Sequence, residues 1–233
     1  MSENNRKSEW DKSYENRDNF LFCPHEEVVR FVSKFIRKRV GLNEFGDVGR
    51  ESTDGRMLDL GCGIGRHVIY CHELGLDVYG VDLSDAAVRV AREWAAKKDM
   101  VRPEDRICQG DIRSLPWADG FFRYSVSHGV LDSMPFEIAR SACLELSRVM
   151  SVGGLFYCDV ISGDDAWHAR EFSGEEIVAT KHEHGTVQLY FNLAKIHSMI
   201  DSVFEIEECT LIRRENVLRR DYTSRYHLIL RRI

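Results

Sequence analysis

Apolar positions in the first part of the chain fall at helical spacing. Val28, Val29, Phe31, Val32, Phe35, Ile36 and Val40 recur three and four apart, which predicts an amphipathic helix over residues 25–40. Residues 1–22 are polar, broken by Trp10, Tyr14, Phe20 and Phe22. Residues 41–56, with Gly41, Asn43, Gly46, Gly49 and Gly55, read as a loop. From Arg56 onward, short apolar runs alternate with segments of helical period. They predict strands at 57–60, 77–81, 105–109, 122–127, 153–160, 203–212 and 224–232, and helices at 64–74, 84–97, 135–150, 175–180 and 192–201. Such alternation predicts a parallel sheet with right-handed crossovers. Ligands of such sheets sit beyond the carboxyl ends of the strands. Asp59, Asp82, Asp111 and His128 all fall at or just after predicted strand ends, so four polar positions converge on one rim.

The strand at 57–60 runs into a turn built on Gly61, Gly63 and Gly65, and the next strand ends at Asp82. Glycine has no Cβ, so such a turn brings bare backbone against a ligand. A carboxylate at the tip of the following strand accepts hydrogen bonds from two ribose hydroxyls in dinucleotide-binding folds. Together they point to a nucleoside with an adjacent flexible chain. The dinucleotide fingerprint G-x-G-x-x-G would place its last glycine at Arg66, whereas this chain has G-x-G-x-G preceded by Asp59.

The segment Met57 to His67 (MLDLGCGIGRH) resembles motif I of the class I S-adenosylmethionine-dependent methyltransferases, of the type acting on small molecules. Val78 to Ser84 (VYGVDLS) is similar to the family's second motif, Gln109 to Ile112 to its third, and Phe121 to Leu131 to its fourth strand and following turn. Ser147 to Asp159 is similar to its helix, Gly-Gly turn and fifth strand, and the matches run in family order over roughly residues 55–160. The resemblance implies an α/β fold: a Rossmann-like, doubly wound, seven-stranded, mostly parallel sheet with one antiparallel strand. An N-terminal helical cap over residues 1–50 is expected to precede the main domain at 51–233, and a lid insertion is expected near 161–191.

The same resemblance implies S-adenosylmethionine as cofactor and assigns its contacts. Gly61, Gly63 and Gly65, with Asp59 and Cys62 in the same motif, would approach the methionine part and ribose. Asp82 would take the ribose hydroxyls, Leu83 would pack on adenine, and Asp111 with the Ile112 amide would meet the adenine edge. A strand-end carbonyl at Ser127 or His128 would meet the methionine ammonium, and Tyr14, on one helical face with Trp10, would fold over the cofactor. Other roles stay open. Asp82 also suits a helix start, Asp111 a turn, Arg66 a surface site instead of a carboxylate contact, and the aromatics plain core packing. Candidate general bases are His128, Asp159, His168, His182 and His184. Cys62 has no indicated base partner, so a thiol nucleophile is not expected.

Composition narrows the function. At 233 residues, 43% hydrophobic and with four prolines, the chain suits one sizeable core. Its seven cysteines include no C-x-x-C pair, so spacing suggests no metal site, and their odd number suits reduced thiols. A net charge of -6 lacks the basic footprint of a nucleic-acid binder. No run approaches membrane-spanning length and the N-terminus is polar, so a cytoplasmic monomer or homodimer without membrane partners is expected. Arg37-Lys38-Arg39 suits the C-terminus of the first helix. Arg213, Arg214, Arg219, Arg220, Arg225, Arg231 and Arg232 suit either a solvated face or an anionic substrate. The favoured function is methylation of a small molecule at oxygen or nitrogen, the acceptor being a sugar, nucleotide-sugar, amine or carboxylated metabolite. The alternatives are a non-catalytic S-adenosylmethionine-binding regulator or partner subunit and, further off, a nicotinamide dehydrogenase.

Overall fold

The computed structural model describes residues 3–17, 19–48, 55–180 and 184–233. The chain begins with α1 (Glu3–Glu15), α2 (Glu26–Phe35), β1 (Arg37–Arg39) and β2 (Phe45–Asp47). The alternating region comprises β3 (Met57–Leu60), α3 (Arg66–Glu73), β4 (Val78–Asp82), α4 (Asp85–Lys97), α5 (Pro103–Arg106), β5 (Ile107–Gln109), β6 (Phe122–Ser127), α6 (Phe136–Val149) and β7 (Met150–Ile161). After it come β8 (Glu175–Ile177), β9 (Val187–Leu189), α7 (Leu193–Ile200), β10 (Phe204–Asn216) and β11 (Asp221–Arg232). Among the described residues no helix is long and apolar enough to cross a membrane.

Seven strands form one sheet in the order β10-β11-β7-β6-β3-β4-β5. The pairs β6–β7, β3–β6, β3–β4 and β4–β5 are parallel, and β11 runs antiparallel to both neighbours. All four residues of β3 are buried, as a strand covered on both faces requires. Its side chains alternate between two cores. Met57 joins Val28, Phe31 and Val32 of α2 and apolar residues of α3 and α4 on one face, while Leu58 and Leu60 join those of α6 and α7 on the other. The strand order reverses between β3 and β6, the topological switch point where α/β sheets bind ligands.

Three expected elements need correction. The helix expected at 175–180 is instead strand β8, paired antiparallel with β9. Its Glu-Glu-Ile-Val-Ala-Thr sequence carries two adjacent β-branched residues, and a distant segment supplies the partner that local periodicity does not reveal. The first helix ends at Phe35, not at residue 40, and Arg37-Lys38-Arg39 forms β1 against β2, so these cations do not close a helix. The residues expected to form a loop at 41–56 include β2, while 49–54 lie outside the described residues.

The N-terminal segment divides in two. Helix α2 buries Val28, Phe31 and Val32 in the core, whereas α1 is polar around its circumference. Polar contacts fasten α1. Asp11 Oδ1 accepts from Ser84 Oγ at 2.6 Å and from the Ala86 amide at 3.3 Å, at the start of α4. Lys7 bridges Asp11 and Asp85.

Candidate active site

Beyond the carboxyl ends of β3, β4 and β6 lies a cavity of about 270 Å³, near the roughly 300 Å³ lower bound of small-molecule pockets. Its floor is the glycine turn. Gly61, Gly63 and Gly65 have φ of 76°, 53° and 89°, values that side-chain-bearing residues resist. Space is short as well: a Cβ at Gly61 would lie 2.4 Å from Val130 Cγ2, and one at Gly63 2.6 Å from the Tyr14 hydroxyl.

Asp82 holds this turn from β4. Its Oδ2 accepts from the Gly63 amide at 2.8 Å and its Oδ1 from the Ser84 amide at 2.9 Å, so it fixes the glycine turn and the start of α4 together. Burial lifts its pKa to about 6 against those two stabilising bonds. Asp111 likewise organises its own turn. It accepts from the Arg113 amide at 2.8 Å and from the Arg113 guanidinium, and Arg6 of α1 lies 3.7 Å away.

His67 and His128 also line the cavity. His128, just past β6, meets Arg66 Nη2 through its Nδ1 at 3.1 Å, and its Nε2 faces Asp159 Oδ2 at 3.5 Å. The His25 ring lies 3.9 Å from the His128 ring, centre to centre, and His67 accepts from the His25 amide at 3.3 Å. Burial, with opposition from Asp159, lowers the His128 pKa to about 2 and that of His25 to about 4, so both rings are neutral. Asp159 is fully buried and fixed by the Gly129 amide at 2.8 Å and Arg225 Nε at 2.6 Å. Burial raises its pKa, but Arg225, His128 and the Gly129 amide outweigh that and hold it below the ordinary carboxylate range.

Tyr14, Gly61, Cys62, Gly63, Arg66, Asp82, Leu83, Asp111, Ile112 and His128 all line the cavity. Gly65, Asp59 and Ser127 do not. Gly65 packs on Ala91 of α4, and Ser127 donates through Oγ to the Leu60 carbonyl at 3.0 Å. Asp59 is buried behind the turn with neither carboxylate oxygen hydrogen-bonded, His67 Nδ1 being 3.8 Å away. Cys62 fills the space left by Gly80, and burial raises its thiol pKa. His168 sits in the expected lid, bridging Asp165 and Glu176 and stacked on Phe172, and His184 is exposed; neither lines the cavity. His182 lies outside the described residues.

Sequence reasoning missed Arg6, Asn19, Leu21, Ser133 and Met134 on the cavity wall. Arg6 had a legible signal, since residues 6, 10 and 14 fall four apart on one helical face. Most of the C-terminal arginines are paired within the protein. Arg214 meets Glu26, Arg219 meets Asp221, Arg231 meets Glu207 and Arg232 donates to the Ser147 carbonyl. Arg225 is enclosed between Asp132 and Asp159. The cations on the cavity wall are instead Arg6 and Arg66.

Residues 58–158 match the family model described as a methyltransferase domain. Among solved structures, a protein from Methanosarcina mazei described as an S-adenosylmethionine-dependent methyltransferase is similar, at 19% identity and TM-score 0.65, over 78% of this chain and 94% of that one. A structure described for conversion of a disulfide bond into a thioacetal group during echinomycin biosynthesis aligns at 20% identity and TM-score 0.67, over 97% and 92%. Geranyl diphosphate C-methyltransferase from Streptomyces coelicolor A3(2), solved with S-adenosyl-L-homocysteine, aligns at 16% identity and TM-score 0.58, over 79% and 73%. At these identities the structures show a shared fold.

Proposed function

Because residues 58–158 match the model of a methyltransferase domain, we propose that the chain is an S-adenosylmethionine-dependent methyltransferase acting on oxygen or nitrogen of a small molecule in the cytoplasm. The observation that carries this reading is the glycine turn, whose bare backbone at Gly61 and Gly63 borders the cavity while Asp82 pins it from β4.

The residues present fit the cofactor. Each Asp82 oxygen spends one acceptor site on a backbone amide and keeps another for a ribose hydroxyl. Asp111 and the Ile112 amide serve the adenine edge, Leu83 covers a ring face, and Tyr14 of α1 closes over the glycine turn. The carbonyl at His128, on the cavity wall, meets the ammonium, while Asp59 lies buried behind the turn. When bound, S-adenosylmethionine supplies an activated methyl on a sulfonium, so the protein's work is positioning and exclusion of water. Helix α1 contributes that exclusion, with Arg6, Trp10 and Tyr14 on the cavity wall.

The second reading is an S-adenosylmethionine-binding regulator or partner subunit. One observation favours it: Arg66 occupies the His128 Nδ1. Calorimetric titration with S-adenosylmethionine, S-adenosylhomocysteine and NADH, on the native chain and Asp82→Ala, tests the family-level reading. Micromolar binding of the two adenosyl ligands, lost in the variant, is expected; NADH binding alone would overturn it. S-adenosylhomocysteine release across a panel of sugars, amines and carboxylates then separates enzyme from regulator.

A further inference from the structure

Building on the methyltransferase reading, we propose that His128 is the general base, positioned by Asp159, and that Arg66 masks its basic nitrogen until a carboxylate in the cavity draws the guanidinium away. Arginine only donates, so at 3.1 Å the His128 Nδ1 must accept from Arg66 Nη2. The proton of the neutral ring therefore sits on Nε2, which is buried without a hydrogen-bond partner and directed at Asp159 Oδ2 3.5 Å away. Catalytic hydrogen bonds of this kind are commonly long before substrate arrives. Asp159 cannot swing away, because the Gly129 amide and Arg225 Nε hold one oxygen each. This leaves one nitrogen with a lone pair, Nδ1, and Arg66 covers it.

Arg66 is suited to leave. It is the first residue of α3, lines the cavity, is half-buried, and forms no ion pair among the described residues. Burial lowers its pKa, so a carboxylate offering a two-pronged contact is a better partner than a neutral imidazole. With the guanidinium gone, the acceptor's O–H or N–H bond breaks and its proton forms an N–H bond at Nδ1. The electron pair stays on the acceptor atom for the incoming methyl. The resulting imidazolium faces the Asp159 carboxylate through Nε2–H and later returns its proton to solvent. Burial is the main effect that holds the His128 ring neutral, with His25, Arg66 and His67 adding to it and Asp159 opposing it, so departure of the Arg66 charge removes one of the groups that oppose protonation. The carboxylate belongs either to the amino-acid end of the cofactor or to the acceptor.

The test is a two-bond proton–nitrogen correlation spectrum of the full chain labelled with 15N-histidine. The free protein is expected to show His128 as the Nε2–H tautomer. Arg66→Gln should move its Nδ1 resonance to the position of an unbonded acceptor, and Asp159→Asn should populate both tautomers. Saturating S-adenosylhomocysteine, which carries a carboxylate, should move native Nδ1 toward its position in Arg66→Gln if the cofactor supplies the anion. If the acceptor supplies it, methylthioadenosine plus acetate should do so and S-adenosylhomocysteine alone should not. An Nδ1–H tautomer in the free protein, or an Nδ1 unmoved by every ligand although calorimetry shows S-adenosylhomocysteine bound, overturns the proposal and leaves the methyltransferase reading standing. Failure to bind S-adenosylhomocysteine overturns that reading, while the tautomer and Arg66→Gln spectra still decide the masking.

Discussion

The Asp82 carboxylate accepts the Gly63 amide at 2.8 Å, tying the tip of β4 to the middle of the glycine turn. Removing it as Asp82→Ala therefore disturbs both the ribose contact and the turn. S-adenosylhomocysteine affinity is expected to fall by at least about tenfold, ~1.4 kcal/mol, in calorimetry.

The same carboxylate sets a pH dependence. Burial lifts Asp82 to about 6, above its unfolded value, so its contribution to stability is present below about pH 4 and lost as pH rises through 6. Ligand binding runs the other way, because the ionised form is the better acceptor for ribose hydroxyls. S-adenosylhomocysteine affinity should fall as pH drops through about 6, and Asp82→Asn should flatten the profile.

Gly63 combines a φ of 53° with a Tyr14 hydroxyl 2.6 Å from where a Cβ would lie. Gly63→Ala is expected to cost about 1–3 kcal/mol in urea unfolding, from backbone strain and crowding. Tyr14→Phe removes the crowding atom but not the strain. The double variant should therefore recover part of the loss, with a coupling of about 0.5 kcal/mol or more.

Arg225 spans Asp132 and Asp159, both almost fully buried, at 2.6 Å each. Arg225→Met would leave two buried carboxylates without their cation, at a cost of about 3–5 kcal/mol. For a chain of this size that lowers Tm by roughly 10 °C. A smaller shift would mean that one carboxylate takes up a proton.

His168 carries a raised pKa, caused first by its hydrogen bond to Asp165 and then by the one to Glu176, with burial opposing. A raised histidine stabilises fully below about pH 6.5, and the contribution is lost as pH rises through the folded value. Amide exchange across 161–180 should accelerate as pH climbs above neutrality, beyond the intrinsic base catalysis of exchange. His168→Gln should exchange fast throughout.

Local patterning carried the sheet because β3 and β4 are short, mostly apolar runs bounded by turns and β6 alternates apolar with polar residues, marks that a strand leaves within its own window. Strands β1 and β8 left none. They are exposed three-residue segments whose pairing depends on β2 and β9. The site followed the same division. Gly61, Gly63 and Asp82 were legible because a turn without Cβ atoms and a strand-end acid are written in adjacent residues.

The sequence by itself thus determined the glycine turn, the acid that faces it and the alternation that builds the parallel sheet, since backbone freedom and periodicity are local properties. Only the tertiary structure decided that Arg66 covers His128, 62 residues away, and that Arg225 reaches back 66 and 93 residues to Asp159 and Asp132. Those contacts depend on which strand ends the fold brings together and on how deeply it buries their charges, and no single segment encodes either.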